Sequence, residues 1–249
     1  MKIEYYKEHS TFLKRDMEFK IYGHAGKVFF VLPTQNNHFH EWEYRKMYDQ
    51  VIDFIDKGEC RFVSCEGIDL ETWSNDNGGY PFRIDRHEEW IQYIIHELIP
   101  SARAKMGLGP DARFLATGAS LGASHAANLF FRYPDVFDGC LCLSGAYDLS
   151  MYFAGFFNEK TYLNNPMSYL PNMPLDHPYI QKYNACPMIF CVGQGAWEDI
   201  CIPQLHELED VLKSKGIHAW VDFWGYDVCH DWPWWRIQIR YFINKILHG

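Results

Sequence analysis

Basic side chains are in short supply in this chain of 249 residues: 23 lysines and arginines stand against 32 aspartates and glutamates, a formal net charge of −9. A protein of that sign gains nothing electrostatically from nucleic acid or an anionic membrane surface, so neither is an expected partner. No stretch reaches the roughly 18 apolar residues of a membrane span. The opening residues Met1-Lys2-Ile3-Glu4-Tyr5-Tyr6-Lys7-Glu8 lack the apolar run of a secretory leader. A cytoplasmic location is therefore expected. There is no CxxC pair among the eight cysteines, which removes the spacing of a structural zinc or dithiol site. Several of them lie in apolar strand-like runs such as Cys140-Leu141-Cys142 and Ile189-Phe190-Cys191, so free buried thiols are expected rather than disulfides. Internal repeats and low-complexity segments are also missing, which excludes solenoid and linker architectures.

What remains is a chain long enough for one sizeable domain, with 17% aromatic residues whose surplus surface suits a pocket. Short apolar runs alternate with longer amphipathic ones, the pattern of an α/β fold with a mostly parallel central sheet and helices on both faces. Strands are expected at about 2–9 and 15–22 as an antiparallel pair, then at 27–32, 61–65, 113–117, 139–144, 188–193 and 218–224. Helices are expected at 42–57, 87–104 with a break or bend at Pro100, 203–215 and 233–247. Residues 66–86 read as a long polar loop of the kind that borders a site. The proline- and aromatic-rich segment 149–185 reads as a partial cap on a single domain spanning 1–249.

The chemistry concentrates at Gly118-Ala119-Ser120-Leu121-Gly122. In G-x-S-x-G small residues flank the serine because the turn from strand to helix is too tight for side chains, and the turn exposes the hydroxyl. Preceded by a strand and followed by Ala123-Ser124-His125-Ala126-Ala127 in a helix, Ser120 is the candidate nucleophile. The Leu121 N–H at the helix start is a candidate oxyanion donor, favoured by the free amides and dipole there. A hydroxyl needs a base, and in this chain order the base follows an acid near the C-terminus. His230, in the loop before the last helix, satisfies that order. The acid is expected after the strand Met188–Gly193, where Glu198 and Asp199 compete; Glu198 is preferred, with Asp199 read as a capping residue. Asp222, Asp227 and Asp231 are weaker contenders. The second oxyanion donor is sought in the loop Pro33-Thr34-Gln35-Asn36-Asn37, at the backbone N–H of Thr34 or Gln35. His38, His40 and Glu41 are metal-ligand types without a matching partner cluster, so they read as a solvent-facing loop leading into a helix. His125 reads as a packing residue. Trp232, Trp234 and Trp235 are expected to pack the last helix and buttress His230, with Trp232 or Trp73 within reach of a substrate.

With these residues in place the chain resembles the Putative esterase family of α/β-hydrolases, relatives of S-formylglutathione hydrolases, feruloyl esterases and enterochelin esterases. The resemblance covers nearly the whole chain. It rests on Leu32-Pro33-Thr34, His87-Glu88-Glu89-Trp90, Gly118 to Gly122, Arg132-Tyr133-Pro134-Asp135-Val136-Phe137, Ser144-Gly145-Ala146-Tyr147-Asp148 and His230-Asp231-Trp232-Pro233. It implies the α/β-hydrolase fold, the nucleophile at Ser120 and the base at His230. Two family features are replaced: the HG-type oxyanion signature by Pro33 to Asn37, and the short G-x-x-D acid loop by Gly193 to Asp199. The expected function is that of a serine carboxylesterase acting on small esters, short-chain or aromatic, with no metal or organic cofactor. The alternatives are an acyltransferase using the same triad and a catalytically silent binding module. The small-molecule ester is the expected partner; oligomeric state stays open, a homodimer being compatible.

Overall fold

The computed structural model describes residues 1–249. One eight-stranded sheet organises it, in the order β1-β2-β4-β3-β5-β6-β7-β8. The chain enters through β1 (Ile3–Ser10) and β2 (Arg15–Tyr22), an antiparallel pair, and β2 continues antiparallel onto β4. The remaining strands, β3 (Lys27–Leu32), β4 (Cys60–Cys65), β5 (Phe114–Ala119), β6 (Phe137–Leu143), β7 (Met188–Val192) and β8 (Trp220–Phe223), are parallel to one another. Because successive side chains point to opposite faces, a strand covered on both sides must be apolar throughout. In β3, Val28, Phe30 and Leu32 join the core on one face while Phe29 and Val31 join the other. Both cores are closed by helices.

The helices are α1 (Glu41–Tyr44), α2 (Ile52–Asp56), α3 (Tyr80–Tyr93), α4 (Ile99–Lys105), α5 (Leu121–Arg132), α6 (Glu159–Leu163), α7 (Pro166–Tyr169), α8 (Pro178–Asn184), α9 (Cys201–Ser214) and α10 (Trp232–His248). α3, α4, α5 and α9 supply buried residues to one face, α2 and α10 to the other. The helix expected over 42–57 is broken: Lys46 takes φ 60°, a left-handed conformation that ends a helix, and a 3₁₀ turn at Tyr48–Val51 leads into α2. Conversely, the helix expected from 87 begins at Tyr80, after extended Gly79 and with Pro81 in its first turn, where a missing N–H costs nothing. The polar loop therefore ends at 79. Pro100 does not break the helix. A π turn at Ile94–Leu98, with the Ile99 N–H bonded to the Ile94 carbonyl, joins α3 to α4, so the chain passes Pro100 in a widened turn. All eight cysteines are free thiols.

Strand register gathers the loops that matter. Leu32 pairs with Gly118, Ala119 with Leu143, and Leu143 with Cys191. The carboxyl ends of β3, β5, β6 and β7 thus lie side by side. The strand order reverses between β3 and β5, and ligands in such sheets bind at that crevice. No helix is long and apolar enough to cross a membrane.

Candidate active site

Ser120 sits between β5 and α5 with φ 55° and ψ −130°, a conformation that costs a non-glycine residue about 1–3 kcal/mol. The surrounding glycines explain why the turn closes. A Cβ on Gly118 would lie 2.4 Å from the Gly122 backbone, and one on Gly122 would lie 2.5 Å from the carbonyl oxygens of Leu32 and Pro33. Glycine at 122 therefore lets the first turn of α5 rest directly on the end of β3. The Leu121 N–H belongs to the first-turn amides that have no intrahelical acceptor.

His230 Nε2 lies 3.0 Å from Ser120 Oγ, and His230 Nδ1 lies 3.0 Å from Glu198 Oε2. A carboxylate can only accept, so Nδ1 carries the ring proton and Nε2 offers its lone pair to the serine hydroxyl. Glu198 is fully buried, at 0% exposure. Its other oxygen accepts from Ser144 Oγ at 2.5 Å and from the Gly193 N–H at 3.4 Å, while Ser144 Oγ accepts from Trp235 Nε1 at 3.0 Å. The Trp235 ring meets the His230 ring edge to face, centroids 4.9 Å apart.

Two loops distant in sequence are zipped together to make this possible. The Gly195 N–H donates to the Val228 carbonyl at 2.8 Å, the His230 N–H to the Ala196 carbonyl at 3.0 Å, and Gln194 Nε2 to the Trp224 carbonyl at 2.6 Å. A Cβ on Gly193 would fall 2.1 Å from the Val228 oxygen, so the close approach requires glycine. The zipper turns Glu198 inward and leaves Asp199 exposed. Asp199 does not cap a helix either, since α9 starts after Ile200 with no side-chain cap. Asp231 caps α10 through the Trp232 N–H at 2.7 Å, and Asp222 accepts from Trp224 Nε1 at 3.2 Å.

In the loop after β3 the two candidate amides differ in their hydrogen bonding. The Thr34 N–H donates to Glu41 Oε2 at 2.8 Å, and Thr34 Oγ1 to Glu41 Oε1 at 2.6 Å. Thr34 is thereby spent. The Asn36 N–H donates to Asp69 Oδ2 at 3.1 Å and the Asn37 N–H to the Thr34 carbonyl at 3.1 Å. Only the Gln35 N–H of this run makes no hydrogen bond within the protein. Glu41 is not the solvent-facing residue the sequence suggested: it is 1% exposed, and burial, offset in part by the Thr34 hydrogen bonds, raises its carboxyl above the usual range. His38 pairs with Glu66 instead, at 2.5 Å.

The cavity beside Ser120 has a volume of about 160 Å³. Its walls are mainly apolar: Leu121, Ala146, Met151, Tyr152, Trp197, Ile200 and Cys201 line it together with His230. Met151 and Tyr152 come from the short helical pieces of 149–185. Neither Trp232 nor Trp73 reaches it. Trp73 is buried and donates from Nε1 to His87 Nδ1 at 3.0 Å, whereas Trp197, which sequence reasoning missed, lines the cavity at 73% exposure and φ 64°. A larger cavity of about 300 Å³ lies away from Ser120, between β2 and the polar loop. Its charged groups are matched in pairs such as Arg15 with Glu71 and His38 with Glu66. Glu198, Cys201 and His230 are the one cluster whose ligand-type atoms lie within 4.8 Å of one another. Two of the three are hydrogen-bonded to each other, and burial pushes the Cys201 thiol up, which opposes the thiolate a metal needs.

The sequence model of the Putative esterase family matches residues 10–241. The chain belongs to this family. It is accordingly a carboxylic ester hydrolase with the α/β-hydrolase fold. Among solved structures the esterase is similar to a ferulic acid esterase at 17% identity, with 98% of each chain covered and a TM-score of 0.74. It is similar to an S-formylglutathione hydrolase from Agrobacterium tumefaciens at 13% identity, 98% of this chain and 94% of that one covered, TM-score 0.74. A third likeness is to FphF, a fluorophosphonate-binding serine hydrolase of Staphylococcus aureus, at 11% identity, covering 100% and 99%, TM-score 0.72. At such identities the likeness speaks for the fold. No curated protein matches the sequence.

Proposed function

We propose that this esterase is a serine carboxylesterase that hydrolyses small carboxylic esters through a Ser120-His230-Glu198 triad. The observation that carries the reading is the unbroken relay of two 3.0 Å contacts from the Ser120 hydroxyl through His230 to a buried carboxylate. His230 Nε2 takes the Ser120 proton as Oγ bonds to the ester carbonyl carbon. The negative charge passes to the carbonyl oxygen, which the N–H groups of Leu121 and Gln35 stabilise. Collapse breaks the carbon–oxygen bond to the alcohol, which leaves with the proton from His230. Water then attacks the acyl-enzyme, His230 accepts a proton from it, and the acid departs as Ser120 Oγ is reprotonated.

A cavity of about 160 Å³ is smaller than the roughly 300–1,000 Å³ that encloses a drug-sized ligand. It suits a short acyl group or one ring, with the remainder of the ester on the exposed apolar rim of Met151, Trp197 and Ile200. A fluorophosphonate probe tests the reading: it is expected to label the wild type at Ser120, with Ser120→Ala neither labelled nor active on nitrophenyl acetate. A folded Ser120→Ala variant that keeps wild-type activity overturns it.

A further inference from the structure

Two buried carboxylates outside the triad hold the loop that carries Gln35. Glu41, at the start of α1, binds Thr34 through both its oxygens, at 2.8 and 2.6 Å, and Thr34 Oγ1 in turn accepts from Asn37 Nδ2 at 3.0 Å. Asp69, in the polar loop, binds the Asn36 N–H at 3.1 Å and with its other oxygen meets His125 Nε2 at 3.4 Å. His125 lies one turn into α5, the helix that opens with Leu121. Asp69 is therefore tied to both places from which the oxyanion donors come. Asn36 takes φ 63°, a conformation a non-glycine residue keeps only when its surroundings hold it there. The Gln35 side chain is itself tethered, Nε2 donating to Ser74 Oγ at 2.6 Å and Oε1 accepting from the Tyr152 hydroxyl at 3.4 Å.

We propose that Glu41 and Asp69 are positioning residues that aim the Gln35 N–H at the substrate oxyanion, taking the place of a glycine-built oxyanion loop. With the amides on either side of it bonded to carboxylates buried in the fold, the Gln35 peptide cannot turn to find another acceptor. Its N–H stays unpaired and pre-aimed, the condition under which such a donor accelerates reaction. Burying two carboxylates for a loop alone is costly, and here the return is a fixed dipole. The inference rests on the reading of Ser120 as nucleophile and Gln35 as donor.

The test compares a carboxylic ester with its thiono analogue, whose sulfur accepts hydrogen bonds poorly and so reports on the oxyanion donors. Losing one donor typically costs about 10²–10³ in kcat, so misaiming one in Glu41→Ala or Asp69→Ala is expected to lower kcat on the oxygen ester about 10- to 100-fold. KM should stay put, the oxygen-to-thiono ratio should fall, and Glu41→Gln, which keeps an acceptor for the Thr34 N–H, should recover much of the loss. A role in folding alone would lower both substrates equally. Should the alanine variants fail to fold, Glu41→Asp and Asp69→Glu keep the charge and move the acceptor by one methylene. A wild-type ratio in the folded variants overturns the proposal while fluorophosphonate labelling of wild-type Ser120 still upholds the triad; an unlabelled wild type removes the triad instead.

Discussion

Replacing Glu198 by glutamine keeps the shape of the side chain, removes its charge and turns one of its two acceptors into a donor, so its effect can be worked out from the hydrogen bonds. One carboxylate oxygen receives the His230 Nδ1 proton; the other receives the Ser144 hydroxyl and the Gly193 N–H. A glutamine whose oxygen turns to His230 would push its NH₂ against the Gly193 donor. Turned the other way, the oxygen keeps both Ser144 and Gly193, and the NH₂ points at His230. The second arrangement preserves more hydrogen bonds and should prevail. It obliges Nδ1 to accept, places the ring proton on Nε2, and leaves no lone pair for the Ser120 proton. Loss of the productive tautomer in a triad of this type costs about 10⁴ in kcat, or about 5.4 kcal/mol at 1.36 kcal/mol per decade. Thermal stability should barely change, because the amide refills the site. Steady-state hydrolysis of nitrophenyl acetate, together with the rate of fluorophosphonate labelling, reads the effect, and both should fall together. Asp199→Asn, at an exposed position, should leave them unchanged. A folded Glu198→Gln enzyme within tenfold of wild type, or a large loss in Asp199→Asn instead, would refute the reasoning.

Gly122→Ala forces a methyl to within 2.5 Å of the Leu32 and Pro33 carbonyls, and overpacking of that kind costs about 1–3 kcal/mol; a lower melting temperature and a lower kcat are both expected, and an alanine variant matching wild type in both would contradict the tight packing of α5 on β3. Trp197→Gly relieves a left-handed conformation worth about 1 kcal/mol or more and removes an apolar rim. Melting temperature should hold or rise while KM increases about 3- to 10-fold for aryl esters such as nitrophenyl acetate, in line with an aromatic contact of about 0.5–1.5 kcal/mol, and stays the same for ethyl acetate; equal effects on both esters would argue against a rim contact. Burial, and secondarily the neighbouring His125 and Arg132, hold the fully enclosed His87 well below the usual histidine range. Below about pH 6.5 the unfolded chain therefore takes up a proton that the folded one refuses, so stability is complete above that pH and falls as pH drops, by up to about 1.4 kcal/mol per unit. Denaturant melts at pH 7 and 5 should show the loss, and His87→Gln should flatten it; an unchanged pH dependence in the variant would count against His87 as the source.

Nearly every strand could be placed from the sequence, because a strand enclosed on both faces is apolar where it is enclosed, as residues 28–32 and Met188–Val192 are. The tight strand-to-helix turn at Ser120 was equally legible. Gly118 and Gly122 are demanded by backbone atoms within four residues or by the adjoining strand end, and such steric needs leave glycine as their mark. His230 was named from chain order, and the structure sets its Nε2 3.0 Å from Ser120 Oγ. What only the folded molecule decided are the matters settled between distant segments. Glu198 rather than Asp199 faces His230 because the 193–199 and 224–230 loops are zipped mainly by backbone hydrogen bonds, which leave little mark on the sequence beyond Gly193. Gln35 rather than Thr34 keeps a free amide because Glu41 and Asp69 claim its neighbours, and a carboxylate in a polar loop carries no sign of whether it will be buried. The broken helix after Glu41, the π turn before Pro100 and the place of Trp197 at the cavity belong with these. In each, local preference was overruled by packing against partners far away in the chain.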